Sequence, residues 1–189
     1  MDTRDSDFLV LGTGIAGLLA AHKLSRIGTV NVVTKKQAAE SNTNYAQGGI
    51  AAVVSQTDSF ESHVEDTLRA GAGLCHEDTV RLTVGEGPAR VRELIEIGVN
   101  FTEHGQTLDL GLEGGHSQRR VLHAGDLTGR EIERALLKAC RTAPNVRLFE
   151  NHVAVDLILE KGRIGECYNV GSGIEKSVEE VTEQLKKLS

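Results

Sequence analysis

The stretch Phe8-Leu9-Val10-Leu11-Gly12-Thr13-Gly14-Ile15-Ala16-Gly17 decides the fold class of this 189-residue chain. A short apolar run of the kind buried in parallel sheets leads directly into a Gly-x-Gly-x-x-Gly turn. An Ala- and Leu-rich segment follows and predicts a helix to about Arg26, and residues 29–34 predict a second strand. A strand, helix and strand of this length form one βαβ crossover. The pattern therefore predicts an α/β fold with a Rossmann-like central parallel sheet.

The glycine turn predicts a dinucleotide site, because it lies between a predicted strand and a predicted helix. Gly12 permits the tight turn, Gly14 lets a pyrophosphate approach the backbone, and Gly17 lets the helix pack closely on the strand. The start of the helix offers backbone amides to the anion. The candidate phosphate-binding residues are Gly12, Thr13, Gly14, Ile15, Ala16 and Gly17.

The identity of the dinucleotide depends on the end of the second strand. An NAD site expects an acidic residue there to accept a hydrogen bond from the ribose, but the chain has Thr34-Lys35-Lys36. Lys35 is compatible with the 2′-phosphate of NADP, with an FAD site whose ribose is held by other groups, or with an ordinary solvated lysine. The residues leave these alternatives open.

Composition excludes several other classes of protein. Asp and Glu number 27 against 21 Lys and Arg, the net charge is -6, and aromatic residues make up 3%, so nucleic acid is not an expected partner. No apolar run is long enough to span a membrane, and the acidic start is unlike a signal peptide, so we expect a cytoplasmic protein. The spacing of the seven histidines and three cysteines predicts no metal site.

Capping and breaker residues predict the remaining elements. A long ordered loop is expected over residues 35–57, and the segment 105–126 is expected to be mostly irregular. The predicted helices run from Asp58-x-x-Glu61 to Ala70, from Asp78 to an interruption at Gly85 and Gly87-Pro88, over residues 89–97, and from Thr128-x-x-Glu131 to about Ala139. The predicted strands are residues 99–102, 146–149 and 153–159.

Several blocks of sequence, in order, resemble the L-aspartate oxidase family, a branch of the succinate dehydrogenase and fumarate reductase flavoproteins. The resemblance covers roughly residues 6–162. The blocks that carry it are the glycine turn, Ser41-Asn42-Thr43-Asn44-Tyr45-Ala46-Gln47-Gly48-Gly49-Ile50-Ala51, Asp58-Ser59, Ser62-His63-Val64-Glu65-Asp66-Thr67-Leu68, Ala70-Gly71-Ala72-Gly73, Glu113-Gly114-Gly115-His116-Ser117, Arg119-Arg120 and Thr128-Gly129-Arg130-Glu131.

The resemblance implies a glutathione-reductase-like FAD-binding domain from an enzyme that oxidises L-aspartate to iminoaspartate in NAD biosynthesis. Quinolinate synthase would be its neighbour in the pathway, and the electron acceptor, oxygen or fumarate, stays open. FAD is expected to be non-covalent, because Tyr45 or its neighbour stands where related enzymes attach the flavin to a histidine. The implied cofactor contacts are the glycine turn (residues 12–17), Lys35, Asn42, Thr43, Asn44, Tyr45, Ala46, Gln47, Gly48, Gly49, Val153 and Ala154.

The resemblance also implies one residue on the substrate side. Glu113 corresponds to a family position that contacts the substrate amino group and selects aspartate over dicarboxylates that lack it. His116, Arg119 and Arg120 form a possible anion site, but adjacent arginines are more often solvated or salt-bridged.

The resemblance ends near residue 162, which predicts an FAD-binding domain over residues 1–162 and a divergent tail over residues 163–189. The tail resembles the C-terminal strand and helix of extended short-chain sugar-nucleotide epimerases and dehydratases, although the chain has no Tyr-x-x-x-Lys pair. A strand at residues 167–170 and a helix at residues 177–188 are expected to close the sheet.

The family's substrate-capping domain and last FAD-binding strand would lie beyond residue 189, so the FAD domain is expected to be truncated. We therefore expect slow turnover of L-aspartate from the chain alone. The alternatives are a non-catalytic dinucleotide-binding module, or an NADP-linked reductase.

Overall fold

The computed structural model describes residues 4–105 and 107–155. The described residues divide into two compact units, one containing residues 4–40 and 143–155 and the other lying within residues 41–142. The helices are α1 (Ile15–Leu24), α2 (Phe60–Ala70), α3 (Glu77–Ile97) and α4 (Thr128–Thr142). The strands are β1 (Phe8–Leu11), β2 (Val30–Val33), β3 (Ile50–Ala51), β4 (Glu103–His104), β5 (Thr107–Leu108), β6 (Leu110–Gly111), β7 (Val121–Leu122) and β8 (Val146–Phe149).

The first unit is a parallel sheet with a crossover helix, which confirms the predicted fold class. Its described strands lie in the order β1-β2-β8, all parallel, and Val30 pairs with both Phe8 and Val146. Apolar side chains of β2 and α1 are fully buried, among them Val32 and Leu18. The β2 run thus forms the buried strand that its composition predicts, whereas β1 is only partly buried and its Leu9 is 53% exposed.

The second unit packs three helices with short antiparallel strands. Strands β3, β7 and β6 form one sheet in the order β3-β7-β6, and β4 pairs with β5 as a hairpin. These strands and the short 3₁₀ helix Thr43–Tyr45 give structure to segments that the sequence predicts to be largely irregular. The core of this unit includes Val64, Val91, Leu122 and Leu136.

Helix α3 corrects the prediction that Gly85 and Gly87-Pro88 divide two helices. It is continuous from Glu77 to Ile97 and contains Pro88 in its interior. Val84, Pro88, Val91 and Leu94 are buried at helical spacing, so they line one face of the helix. Burial of this face offsets the cost of proline, which lacks an N–H and disfavours the helix interior.

Gly85 offers a stabilising substitution within α3. It is exposed, and a β-carbon there would meet nothing within 4 Å. We expect Gly85→Ala to raise the free energy of unfolding by about 0.5–1 kcal/mol, because alanine loses less backbone entropy in a helix. Gly98→Ala is the matched control and should destabilise, because Gly98 has φ +106°. Urea unfolding followed by circular dichroism tests both variants, and equal shifts in the same direction would contradict this argument.

The N-termini of α2 and α3 differ from the predicted caps. Ser59, not Asp58, caps α2, and its Oγ accepts a hydrogen bond from the Ser62 backbone N–H. The residue preceding α3 is His76, so Asp78 lies within the first turn. Ser and Asp are both good N-caps, so the local sequence cannot choose between Asp58 and Ser59. The choice depends on Arg120, which is distant in sequence and engages the Asp58 carboxylate.

The predicted capping box of α4 is also wrong in its contacts, although the helix begins at Thr128 as expected. The Thr128 Oγ1 accepts a hydrogen bond from the Ala124 backbone N–H. The Glu131 carboxylate accepts from the Asn100 backbone N–H and from the Arg134 guanidinium. These two side chains therefore join α4 to neighbouring segments instead of closing its first turn.

Two predicted strands differ from the structure: the strand predicted at residues 99–102 begins later, and the described residues of the one predicted at 153–159 form no strand. Residues 99–102 are not part of a strand, and the strand begins at Glu103. Thr102 is nevertheless bonded through its backbone, since its N–H donates to the His123 carbonyl oxygen and its carbonyl oxygen accepts from the Asp109 N–H. Val153 and its two successors are not in a strand, and residues 156–159 lie outside the described part of the chain, as do the predicted strand 167–170 and helix 177–188. Among the residues that are described, none belongs to a helix long and apolar enough to cross a bilayer.

Candidate functional site

The glycine turn joins β1 to α1 in a conformation that its glycines make possible. Gly12 has φ +100°, a region that other residues rarely adopt, and its N–H donates to the Val33 carbonyl oxygen at 2.8 Å. A β-carbon on Gly17 would collide with the Gly12 carbonyl oxygen. The turn therefore depends on glycine at both positions, once for conformation and once for space.

The start of α1 fits a bound pyrophosphate. Gly14 is the N-cap and gives the helix no side-chain hydrogen bond, and the first turn contains no acidic residue. A phosphate at this end would meet the positive end of the helix dipole and no competing carboxylate from that turn. The buried Thr13 hydroxyl lies 3.2 Å from the Thr34 hydroxyl, which braces the turn against the end of β2.

The carboxyl ends of β1, β2 and β8 bring three of the predicted contact segments to one edge of the parallel sheet. Lys35 lies two residues after the end of β2 and is exposed. After β8, the His152 N–H donates to the Thr34 carbonyl oxygen at 3.0 Å, so Val153 and Ala154 begin beside the end of β2. Ligands of open α/β sheets bind at such carboxyl ends.

The loop of residues 42–49 lies in the second unit and is held by α4. The Gly129 N–H donates to the Ala46 carbonyl oxygen at 3.0 Å, and a β-carbon on Gly129 would collide with the Thr43 carbonyl oxygen. Tyr45 is 68% exposed. The other predicted loop contacts are half-buried (Thr43, Asn44, Gly49) or exposed (Asn42, Ala46, Gln47, Gly48).

Glu113 begins a tight turn in the second unit. Its carbonyl oxygen accepts a hydrogen bond from the His116 N–H at 3.2 Å, and its side chain is exposed. Gly115 within the turn has φ +88°. Beyond the turn, the Ser117 N–H and hydroxyl both donate to one Asp66 carboxylate oxygen at 2.7 Å. The carboxylate of Glu113 is therefore free to meet a ligand, while the chain after it is firmly held.

A buried ion cluster supports this turn. Arg120 is 0% exposed and donates to Asp58 at 2.8 and 2.9 Å and to Asp66 at 2.8 Å. Burial opposes ionisation of Asp66, but hydrogen bonds from Ser117 and Arg120 outweigh it and hold its pKa at about 2. Arg120 is thus salt-bridged, which excludes it as an open anion site, whereas its neighbour Arg119 is exposed.

Two histidines adjoin this ion cluster. The His63 and His116 rings pack edge to face with their centroids 5.5 Å apart, and the His116 Nδ1 lies 3.5 Å from an Arg120 nitrogen. Burial, followed by the charge of Arg120, lowers the pKa of His63. A neutral imidazole is therefore favoured beside the cluster. His63 also lines a cavity of about 280 Å³ between α2 and α3.

The side chains of Asp58, Asp66 and Glu133 are buried, which was not predicted from the sequence. The two aspartates carry no signal in local sequence, because their partner Arg120 is 62 and 54 positions away. The burial of Glu133 could have been predicted from the sequence, since Glu133 lies on the same helical face as the apolar Ile132 and Leu136. In the part of the chain that is described, no group of His, Cys, Asp or Glu is placed to hold a metal ion.

The fold and the glycine turn define an α/β protein with a dinucleotide site. The sequence model of the FAD binding domain family matches residues 7–182. The chain belongs to this family, and its cofactor is FAD. This result decides the identity of the dinucleotide, FAD instead of NADP, while the role of Lys35 in binding it stays a prediction.

Among curated proteins, the chain is similar to enzymes named L-aspartate oxidase. It is 50% identical to L-aspartate oxidase 2-b, chloroplastic, of Nicotiana tabacum over 99% of the chain and 29% of that protein. It is 47% identical to L-aspartate oxidase of Pseudomonas aeruginosa over 82% of the chain and 30% of that protein. The chain therefore spans under a third of the length of these relatives.

Solved structures of related flavoproteins have a similar fold. The quinol fumarate reductase of E. coli superposes with a TM-score of 0.77 at 29% identity, over 85% of this chain and 28% of that one. The Mycobacterium smegmatis Sdh1 complex gives a TM-score of 0.76 at 32% identity, over 86% of this chain and 30% of that one.

Proposed function

We propose that this chain is the flavin-binding part of an L-aspartate oxidase, which oxidises L-aspartate to iminoaspartate. The observation that carries the proposal is its 42–51% identity to enzymes of that name across plants and bacteria. Identity to the fumarate reductase and Sdh1 structures is lower, at 28–32%. The difference favours an amino acid substrate over succinate or fumarate.

The proposed FAD contacts comprise the glycine turn, Lys35, the loop 42–49, Val153 and Ala154. The positive start of α1 supports a role for residues 12–17 in binding the pyrophosphate. The place of Val153 and Ala154 beside the end of β2 supports backbone contacts to the adenine. Attachment of FAD is non-covalent, because Tyr45 or its neighbour occupies the position of the flavin-linked histidine in related enzymes.

The proposed reaction removes a hydride from the α-carbon of L-aspartate, and the substrate ammonium releases one proton to water, which leaves a protonated carbon–nitrogen double bond. FAD, when bound, supplies the acceptor for the hydride. Glu113 binds the substrate ammonium through its exposed carboxylate, and this charge-assisted contact selects aspartate over succinate. The turn that carries Glu113 is held at Ser117 by Asp66, which limits the movement of the backbone that bears this side chain.

Anaerobic flavin reduction tests this function. Excess L-aspartate should bleach the FAD-loaded chain slowly, and succinate should not. Glu113→Gln should weaken the apparent affinity for L-aspartate about 10- to 100-fold, because it removes one charged hydrogen bond. Glu103→Gln, at another exposed acid of the same unit, is the control and should behave as the unmodified chain. A flavin that L-aspartate never reduces would instead favour the non-catalytic FAD module.

The wider assignments follow from this proposal. The product would enter NAD biosynthesis, with quinolinate synthase as the neighbouring enzyme. A cytoplasmic location is proposed for the protein, although some of its relatives are named chloroplastic. Residues 1–162 are proposed as the FAD domain and residues 163–189 as an epimerase-like tail, while the family match itself continues to residue 182.

A further inference from the structure

Helix α4 carries a carboxylic acid on its buried face. Glu133 is 1% exposed, and its helical neighbours Ile132, Leu136 and Leu137 are buried with it. Burial of a carboxyl group costs free energy unless hydrogen bonds replace its lost hydration. An apolar residue would stabilise this buried helix face more than a carboxyl group does. The hydrogen bonds made by Glu133 therefore indicate its role.

Those bonds lead to the beginning of the loop 42–49. The Ser41 hydroxyl donates to the Glu133 Oε2 at 2.8 Å. Burial raises the pKa of Glu133, and the hydrogen bond from the Ser41 hydroxyl partly offsets this effect. The carboxyl group therefore joins the middle of α4 to the residues from which the loop starts.

The same face of α4 holds the loop further along. Gly129 lies one helical turn before Glu133, and its N–H donates to the Ala46 carbonyl oxygen. A β-carbon on Gly129 would come within 2.8 Å of the Ala46 Cβ, so the loop packs directly on the helix. Between these anchors the chain forms the short 3₁₀ helix Thr43–Tyr45. Glu133 and Gly129 thus define the shape of this part of the loop.

We propose that Glu133 is a positioning residue that holds the loop 42–49 in the conformation that binds FAD. The inference rests on the proposed function only in taking this loop as a flavin contact. Glu133 acts through the Ser41 hydroxyl, and the Ser41 carbonyl oxygen in turn accepts from the Asn44 N–H. Removal of Glu133 should therefore leave a folded helix and a loop that must be ordered when FAD binds. The need to order the loop lowers the affinity for FAD, because the conformational entropy that the loop loses on binding opposes the binding reaction.

Substitution by leucine separates positioning from a purely structural role. Glu133→Leu replaces a buried acid with an apolar residue of similar size, which is often neutral or stabilising. We expect the thermal midpoint of the FAD-free variant to be unchanged or raised, and the dissociation constant for FAD to rise about tenfold or more. Flavin fluorescence titration and circular dichroism melting measure the two quantities.

Three further variants complete the test. Glu133→Gln keeps the shape of the side chain and should weaken FAD binding less than leucine does. Ser41→Ala should add little to Glu133→Leu, because both remove the same bond. Glu131→Gln, on the same helix but bonded to Asn100 and Arg134, is the matched control and should leave the dissociation constant unchanged.

The outcomes distinguish this inference from the proposed function. Failure of the unmodified chain to bind FAD would contradict the function itself. Normal binding by the unmodified chain, with dissociation constants within twofold for both Glu133 variants, would overturn the positioning role. A lowered thermal midpoint at unchanged FAD affinity would likewise assign Glu133 to stability alone. If Glu133→Leu does not fold, Glu133→Gln and Ser41→Ala decide the question by the same criterion.

Discussion

Arg120→Met should lower the free energy of unfolding by about 3–5 kcal/mol, because it leaves two buried aspartates without a counter-charge. Both Asp58 and Asp66 depend on this guanidinium for short hydrogen bonds. Methionine fills much of the space of the arginine stem but supplies no donor. Urea unfolding followed by circular dichroism measures the loss.

The neighbouring Arg119→Met is the matched control for this substitution. Arg119 is exposed and makes a long contact of 3.4 Å with the Leu110 carbonyl oxygen, so we expect a change within about 0.5 kcal/mol. Combining Arg120→Met with Asp58→Asn and Asp66→Asn should recover part of the stability, since no buried charge then lacks a partner. Equal stability of the Arg119 and Arg120 single variants would refute a structural role for the cluster.

Gly17→Ala should reduce FAD affinity about 10- to 100-fold. The added methyl group would overlap the Gly12 carbonyl oxygen and lie 3.1 Å from the carbonyl carbon and 3.4 Å from the Val10 Cγ1. The overlapped atoms belong to the backbone, so α1 must move away from the turn that receives the pyrophosphate. Overpacking of this kind typically costs about 1–3 kcal/mol. The free protein relieves this strain by shifting the turn, and FAD binding must restore the original geometry, which accounts for the expected loss of affinity.

Fluorescence titration with FAD measures this effect, and Gly85→Ala provides its control. That substitution adds the same methyl group in open space on α3, outside the proposed FAD contacts, and should leave the dissociation constant unchanged. A dissociation constant for Gly17→Ala within twofold of the unmodified value would show that the contact between Gly12 and Gly17 is not required for binding.

Elements specified by contiguous residues were predictable. The strand, glycine turn, helix and second strand at the start of the chain appear within a few residues of their expected limits, as does β8. Helix α3 was misjudged because the local cost of Pro88 is visible in the sequence, whereas the packing that offsets it is not. Local helix propensity is a weak guide wherever burial in the tertiary structure stabilises a helix that the propensity disfavours.

The candidate site shows the same division. Spacing alone identified the glycine turn, and the resemblance of several blocks identified the loop 42–49 and Glu113 as candidates. Neither could show that Asp58 belongs to an ion cluster instead of a helix cap, since its partner Arg120 lies 62 positions along the chain. The contacts of Glu133 with Ser41 were equally hidden, because they join residues 92 positions apart.

The sequence by itself determined the α/β class and the dinucleotide turn, because both depend on residues close enough along the chain to show a regular spacing. Tertiary structure alone decided which polar residues are buried, how Arg120 neutralises two aspartates and how α4 holds the loop 42–49. The physical reason is that a charged side chain is stable in the interior only beside its partners, and folding, not sequence proximity, brings those partners together.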